Sequence, residues 1–265
     1  MSIITETVLS PARKLQTESL VSLCLEAFPA PLSVPVDGDV YFFMEGPSPS
    51  GNGSAELWGL LALYKTDEHV WECSAFTRPD KRQNGIFSAL LDAAETAYPE
   101  DQFSFPVPDS KEYLPALKVL ESIGAELWYQ EHLMILEADS PVWNTLSAEP
   151  ASHLLSLSKE PCDLDEEGDS QLIQAFSDGF PVASCALTVT CQNDRTSCCI
   201  HHVSVPESLR NKGYGTRFLK TLLPRLKKQG VSRFLLQVSG SNLPAISLYK
   251  KTGFRITETL SYYLY

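Results

Sequence analysis

Apolar and polar positions follow two rhythms along this chain. Residues 13–28, RKLQTESLVSLCLEAF, space their apolar side chains three and four apart, which predicts an amphipathic helix. VYFFME (40–45), AELWGLLALYK (55–65) and HVWECSAFT (69–77) read as strands, the first two joined by a Gly/Pro/Ser loop. Later, QLIQAF (171–176), PVASCALTVTCQ (181–192) and SCCIHHVSV (197–205) are three more strands, separated by SDG and NDR turns. After Gly213, Phe218, Leu219, Leu222, Leu223 and Leu226 form one helical stripe that stops at Gly230. Pro224 lies inside that helix and removes one backbone bond, so a kink is expected there. RFLLQVS (233–239) is a strand, LPAISLYKKTG (243–253) a short helix, and FRITETLSYYLY (254–265) a final strand or hairpin.

The rhythm repeats. TRPDKRQNGIFSALLDAA (77–94) parallels VPESLRNKGYGTRFLKTL (205–222), and PALKVLESIGAEL (115–127) parallels PAISLYKKTGFRI (244–256). Arg82 to Gly124 is 42 positions and Arg210 to Gly253 is 43, so two matched blocks recur at matched spacing. Two copies of one fold, offset by about 128 residues, are expected. EADSPVWNTLSAEP (137–150) is rich in Ser, Pro and acids and lacks a period, which puts the junction there: copies at 1–140 and 141–265. KEPCDLDEEGDS (159–170) reads as a loop within the second copy, and no clear helix is visible between about 141 and 170.

Bulk properties narrow the class. The apolar fraction of 43% and charged fraction of 20% are those of a globular chain. No run approaches membrane-spanning length, and MSIITETVLSPARK has no apolar signal core. Seven irregularly spaced cysteines suit reduced thiols in a cytoplasm better than a disulfide framework. The net charge of −12 hides an asymmetry. Residues 195–265 hold 12 Lys+Arg against 2 Asp+Glu, so the other 194 residues hold 21 − 12 = 9 basic and 33 − 2 = 31 acidic ones. A basic segment on an acidic protein points to a local anionic ligand, or to solvated helix faces. A nucleic-acid duplex would be repelled by the rest of the chain.

RNKGYG (210–215) sits where a strand turns into a helix. The first helical N–H groups have no partner inside the helix, the macrodipole is positive there, and glycines let backbone approach a bulky phosphate. Arg210 and Lys212 add charge, so a phosphate or pyrophosphate ligand follows from physics alone. The spacing is neither the P-loop nor the dinucleotide fingerprint.

Arg210, Gly213 and Gly215 fit Arg/Gln-x-x-Gly-x-Gly/Ala, and VSGSNLPAISLYKKTGF (238–254) fits Asn-x-x-Ala-x-x-x-Tyr-x-x-x-Gly-Phe. Together these resemble the two signatures of the GNAT superfamily of N-acetyltransferases, strongly over 196–265 and moderately over 70–127. The resemblance implies a tandem of two GNAT-like α/β (α+β) domains, each a mixed, mostly antiparallel sheet flanked by helices. It implies an acetyl-CoA-dependent transfer to a primary amine by direct attack in a ternary complex. The coenzyme would be held by backbone across Arg210, Asn211, Lys212, Gly213, Tyr214, Gly215 and Thr216, and by main chain around Val203 and Val205. An N–H near Val203 would face the thioester oxygen. Tyr249 is the candidate general acid, or a tyrosine that only packs; Asn242 bonds the pantetheine or caps the helix before Pro244. His201, four residues before Val205, is the candidate base or a structural histidine, and Cys199 stands where many members carry an acid.

The first copy departs from the pattern. It keeps Arg82 and Gly85 but has Phe87 in place of Gly215, Leu120 in place of Tyr249 and Ala125 in place of Phe254. Without the general acid, its expected role is to shape the acceptor pocket. Cys191, Cys198, Cys199, His201 and His202 are zinc-type ligands, but neighbouring strand residues point apart and no C-x-x-C pair exists, so no metal is expected. The acidic body suits a cationic amine: a polyamine, an aminoglycoside or a lysine side chain. A catalytically silent acyl-CoA-binding or interaction protein is the competing reading.

Overall fold

A computed structural model describes residues 2–27, 33–47, 55–146, 155–161, 170–193 and 195–265. The chain divides into two compact units: residues 1–129 with 260–265, and residues 130–259.

The first unit holds strands β1 (Ser2–Glu6), β2 (Val40–Pro47), β3 (Ala55–Asp67), β4 (Val70–Thr77) and β5 (Gln102–Pro108) in that order. All neighbours are antiparallel except β4 and β5. Helices α1 (Pro11–Ala27), α2 (Ile86–Ala97) and α3 (Leu114–Ile123) belong to this unit. Leu20, Val21 and Cys24 of α1 pack with Phe43, Leu60 and Ala62, while Leu90 and Leu91 of α2 pack with Phe42, Leu61 and Leu63. Both sheet faces are therefore covered, which is why GLLALY is apolar almost without interruption.

The second unit holds β7 (Ser156–Pro161), β8 (Ser170–Ser177), β9 (Phe180–Gln192), β10 (Arg195–Ser204) and β11 (Arg233–Ser239), with α4 (Trp143–Leu146), α5 (Tyr214–Lys228) and α6 (Leu243–Lys251). Asp178 and Gly179 both have positive φ, 52° and 83°, the backbone of a two-residue hairpin turn between β8 and β9. One face of this sheet packs Ile173, Leu187, Ile200, Phe234 and Leu236 against Phe218, Leu219, Leu222 and Leu223 of α5 and Tyr249 of α6. Burying five side chains of α5 contributes roughly 8–15 kcal/mol gross. That exceeds the roughly 3 kcal/mol cost of a mid-helix proline, and α5 runs through Pro224 without a break.

Two strands do not stay with their own copy. β6 (Glu126–Glu137) crosses the division, and its residues from Gln130 pair antiparallel with β11: Glu131 with Ser239, His132 with Val238, Glu137 with Arg233. β12 (Arg255–Leu264) is a single strand, and its residues from Leu260 pair with β5 of the first unit, Leu260 with Pro108 and Leu264 with Ser104. Each copy's last strand thus lies beside the fifth strand of the other copy. The aperiodic stretch after β6 is also structured: Trp143 and Leu146 are buried in the second unit, and Val142 would lie 2.5 Å from a Cβ built on Gly253. Residues 147–154 and 162–169 lie outside the described residues.

The repetition extends to backbone angles. A 3-10 turn precedes each loop, at Pro79–Lys81 and Glu207–Leu209. Gln83 and Asn211 have φ of 62° and 59°, and Gly85 and Gly213 have 72° and 82°. The Arg82 Nε donates to the Thr77 carbonyl at 3.3 Å and the Arg210 Nε to the Val205 carbonyl at 3.2 Å.

Candidate active site

The second unit's site begins as a gap between parallel strands. β10 and β11 are paired at Ser197, Cys198 and Cys199 with Arg233, Phe234 and Leu235. Beyond that point β10 is in register with β9 only, and irregularly: His201 faces Ala186, then Ser204 faces Ser184. Three steps on β10 match two on β9, so one residue bulges out, and His202 there takes φ 50°. A bulge removes a residue from the ladder and re-aims the backbone around it. This frees main chain beside Val203, the position whose N–H is expected to face an acyl oxygen. The pattern of apolar residues in SCCIHHVSV carries no sign of the bulge, because histidine is not a residue that demands positive φ.

The loop that follows is an open cradle. No side chain caps α5, whose N-cap is Gly213. The first helical bond runs from the Arg217 N–H to the Gly213 carbonyl at 3.0 Å, so the N–H groups of Tyr214, Gly215 and Thr216 have no intrahelical acceptor. A Cβ on Gly213 would meet nothing within 4 Å, so its positive φ, not crowding, requires glycine there. Gly215 has a different reason. Its Cβ would lie 3.1 Å from Leu248 Cδ2, so a bare Cα lets α5 close on α6. Arg210 braces the loop through the Val205 carbonyl, and the Arg217 guanidinium lies 5.5 Å above the Tyr214 ring. Lys212 and Asn211 are exposed beside the cradle.

Tyr249 is 6% exposed and packs edge-on to Phe254, ring centres 6.0 Å apart. Burial, with a smaller contribution from the Cys185 thiol, pushes its phenol up to about 12, so it remains a protonated donor at neutral pH. The Asn242 Oδ1 accepts from the Ala245 N–H at 3.2 Å, so the capping role is the one present; its amide NH₂ is not used in that bond. His201 shares a strand face with Cys199, whose Sγ lies 4.0 Å from the His201 Nδ1. The His201 Nε2 is buried and has no hydrogen-bond partner among the described residues. Cys198 points into the core instead, where burial pushes its thiol up to about 12. Among the described residues no three His, Cys, Asp or Glu side chains gather as a metal-ligand group.

Residues 133–254 match the model of the acetyltransferase (GNAT) family. That stretch belongs to the GNAT family. The GNAT segment includes part of β6 and all of β10, the loop and α6. Two curated Bacillus subtilis proteins are similar to parts of the chain. The uncharacterised N-acetyltransferase YobR is 42% identical over 55 residues, which is 21% of this chain and 22% of YobR. The uncharacterised N-acetyltransferase YvbK is 35% identical over 57 residues, or 22% of this chain and 37% of YvbK. The chain therefore spans well under half the length of these relatives. Solved structures carry the fold further. A tandem GNAT protein from the clavulanic acid biosynthesis pathway superposes with a TM-score of 0.66 at 15% identity, covering 100% of this chain and 98% of that one. A GCN5-related N-acetyltransferase from Sphaerobacter thermophilus gives 0.61 at 15% identity, covering 99% and 95%. The whole chain has the fold of a tandem GNAT protein.

Proposed function

We propose that the protein is an acetyl-CoA-dependent N-acetyltransferase whose second copy binds the coenzyme and whose acceptor is a primary amine. The observation that carries this reading is the alignment of three features on one path. They are the bulge beside Val203, the β10–β11 gap, and the three orphan N–H groups of Tyr214, Gly215 and Thr216. A pyrophosphate takes the orphan donors, with Arg210, Asn211, Lys212 and Gly213 lining the cradle. Main chain at Val203 and Val205 and the amide of Asn242 hold the pantetheine arm. In a ternary complex, the His201 Nε2 accepts the ammonium proton. The amine nitrogen then forms its bond to the acyl carbon while the carbon–sulfur bond breaks. A bulge N–H stabilises the developing oxyanion, and the Tyr249 hydroxyl supplies a proton to the departing thiolate.

In this reading the repeat units are 1–140 and 141–265, no metal takes part, and the reduced cysteines suit a cytoplasmic protein. No helix of the described residues is long and apolar enough to cross a membrane. The test is thiol release from acetyl-CoA against a panel of primary amines. Amine-dependent release that follows single-complex kinetics is expected. Coenzyme binding without turnover on any amine would favour a silent acyl-CoA-binding protein.

A further inference from the structure

The strand exchange has a chemical consequence on the face of the second unit opposite α5 and α6. Phe234, Leu236 and Val238 of β11 point to the helix-covered face, so Leu235, Gln237 and Ser239 point to the other. The β6 register carries this alternation across: His132, Met134 and Leu136 go with the core, and Glu131, Leu133 and Ile135 with the opposite face. Cys199 is level with Leu235 in the parallel pair, so Cys199 and His201 share that opposite face too.

Two glutamates therefore sit on this face of β6, at the two ends of its pairing with β11. Glu137 lies at the closed end of the β10–β11 pair and is neutralised, with Arg233 Nε at 3.2 Å and Arg195 Nη2 at 3.6 Å. Glu131 lies at the open end, beside the gap. It makes no ion pair among the described residues, and its same-face neighbours Gln237 and Ser239 carry no charge. Glu131 is half-buried and Gln237 exposed. One carboxylate has its cations built in; the other has only polar, uncharged neighbours on β11 and lies beside the end of β11 that β10 leaves unpaired. The strands of Glu131 and His201, β6 and β10, are two apart in the sheet order, about 10 Å in a regular sheet.

We infer that Glu131, delivered to the second unit by the exchanged strand, recognises a second positive charge on the acceptor, which makes the acceptor a diamine or polyamine. This rests on the acetyltransferase reading above. One ammonium of the acceptor pairs with the Glu131 carboxylate, helped by the Gln237 amide, while the other amine reaches the His201 side of the gap. A charge-assisted contact of this kind discriminates against a neutral terminus. Nothing in Glu131 is needed for coenzyme binding, so the two ideas fail separately.

The experiment is calorimetric binding of putrescine and of butylamine to the full chain loaded with CoA, which has no acetyl group to transfer, for wild type, Glu131→Gln and Glu131→Asp. Putrescine is expected to bind wild type at least tenfold tighter than butylamine. Glu131→Gln should erase most of that preference, and Glu131→Asp should keep part of it, with acetyl-CoA affinity unchanged in both. Equal binding of the two amines by wild type, no amine binding, or a preference that survives Glu131→Gln each overturns the inference. Loss of acetyl-CoA binding by wild type itself would instead overturn the acetyltransferase reading, and the same two amine titrations on the coenzyme-free chain would then decide the role of Glu131.

Discussion

The Arg82–Phe87 loop and the Arg210–Thr216 loop share a backbone, including a positive φ at Gln83 and Asn211 and an arginine bracing the strand before it. They differ in what surrounds that backbone. Where the second loop has Gly215 and a close approach of Leu248, the first has Phe87, whose ring meets Phe105 of β5 edge-on at 6.0 Å. The first unit's strands also pair only briefly, at Val70–Glu72 with Gln102–Ser104, but Phe105, the next residue on β5, is buried and packed against Phe87. Charge separates them further. α2 carries two acids and no base, whereas α5 carries five bases and no acid. Orphan helix N–H groups recur wherever a helix starts. The second loop alone is followed by a helix of five bases and adjoins an unpaired stretch between its strands.

The largest effect should come from removing residues 1–140, because the exchange makes β6 part of the second unit's sheet. The truncated chain loses the partner of β11 and exposes that edge. Circular dichroism should show loss of cooperative folding together with activity. A stable, fully active 141–265 fragment would mean that the exchanged strand is dispensable.

Next come the paired glycines. Gly213→Glu puts a side chain at φ 82° and an anion in the cradle. The strain alone costs on the order of 1–3 kcal/mol, and coenzyme affinity should fall at least a hundredfold. Gly85→Glu meets the same strain at φ 72° but should leave coenzyme affinity within twofold, as read by calorimetry.

Tyr249→Phe tests the chemistry. Turnover should drop about 10- to 100-fold, with coenzyme affinity kept. The folded phenol is raised to about 12, above its ordinary 10. Its contribution to stability is therefore complete below pH 10 and lost as pH rises through 12. The variant should lack that alkaline loss in pH-dependent melting. The smallest effect belongs to Phe87→Ala. It should destabilise the first unit by about 2 kcal/mol without creating a second coenzyme site, because the charge and the tyrosine are still missing.

Much of this was legible in the sequence, and the parts that were not share a cause. Helical stripes, strands, the two loops and their offset are local patterns, and the structure has them at α5, β9 and Gly213. Which strand pairs with which is non-local. β6 and β12 follow equivalent helices and carry similar alternation, so nothing in either string says that they trade places. The His202 bulge and the packing role of Gly215 were also hidden, because each depends on a neighbour distant in sequence, Ser184 in one case and Leu248 in the other. Glu131 carried no motif; its placement follows from the register with Ser239. The stretch around Trp143 lacked a period because a single helical turn is too short to show one.

In the function proposed above, one of two similar loops holds the coenzyme. Calorimetric titration of the full chain with acetyl-CoA tests it most directly. One site per chain is expected, abolished by Gly213→Glu and untouched by Gly85→Glu. Two sites, or a single site abolished by Gly85→Glu, would contradict it.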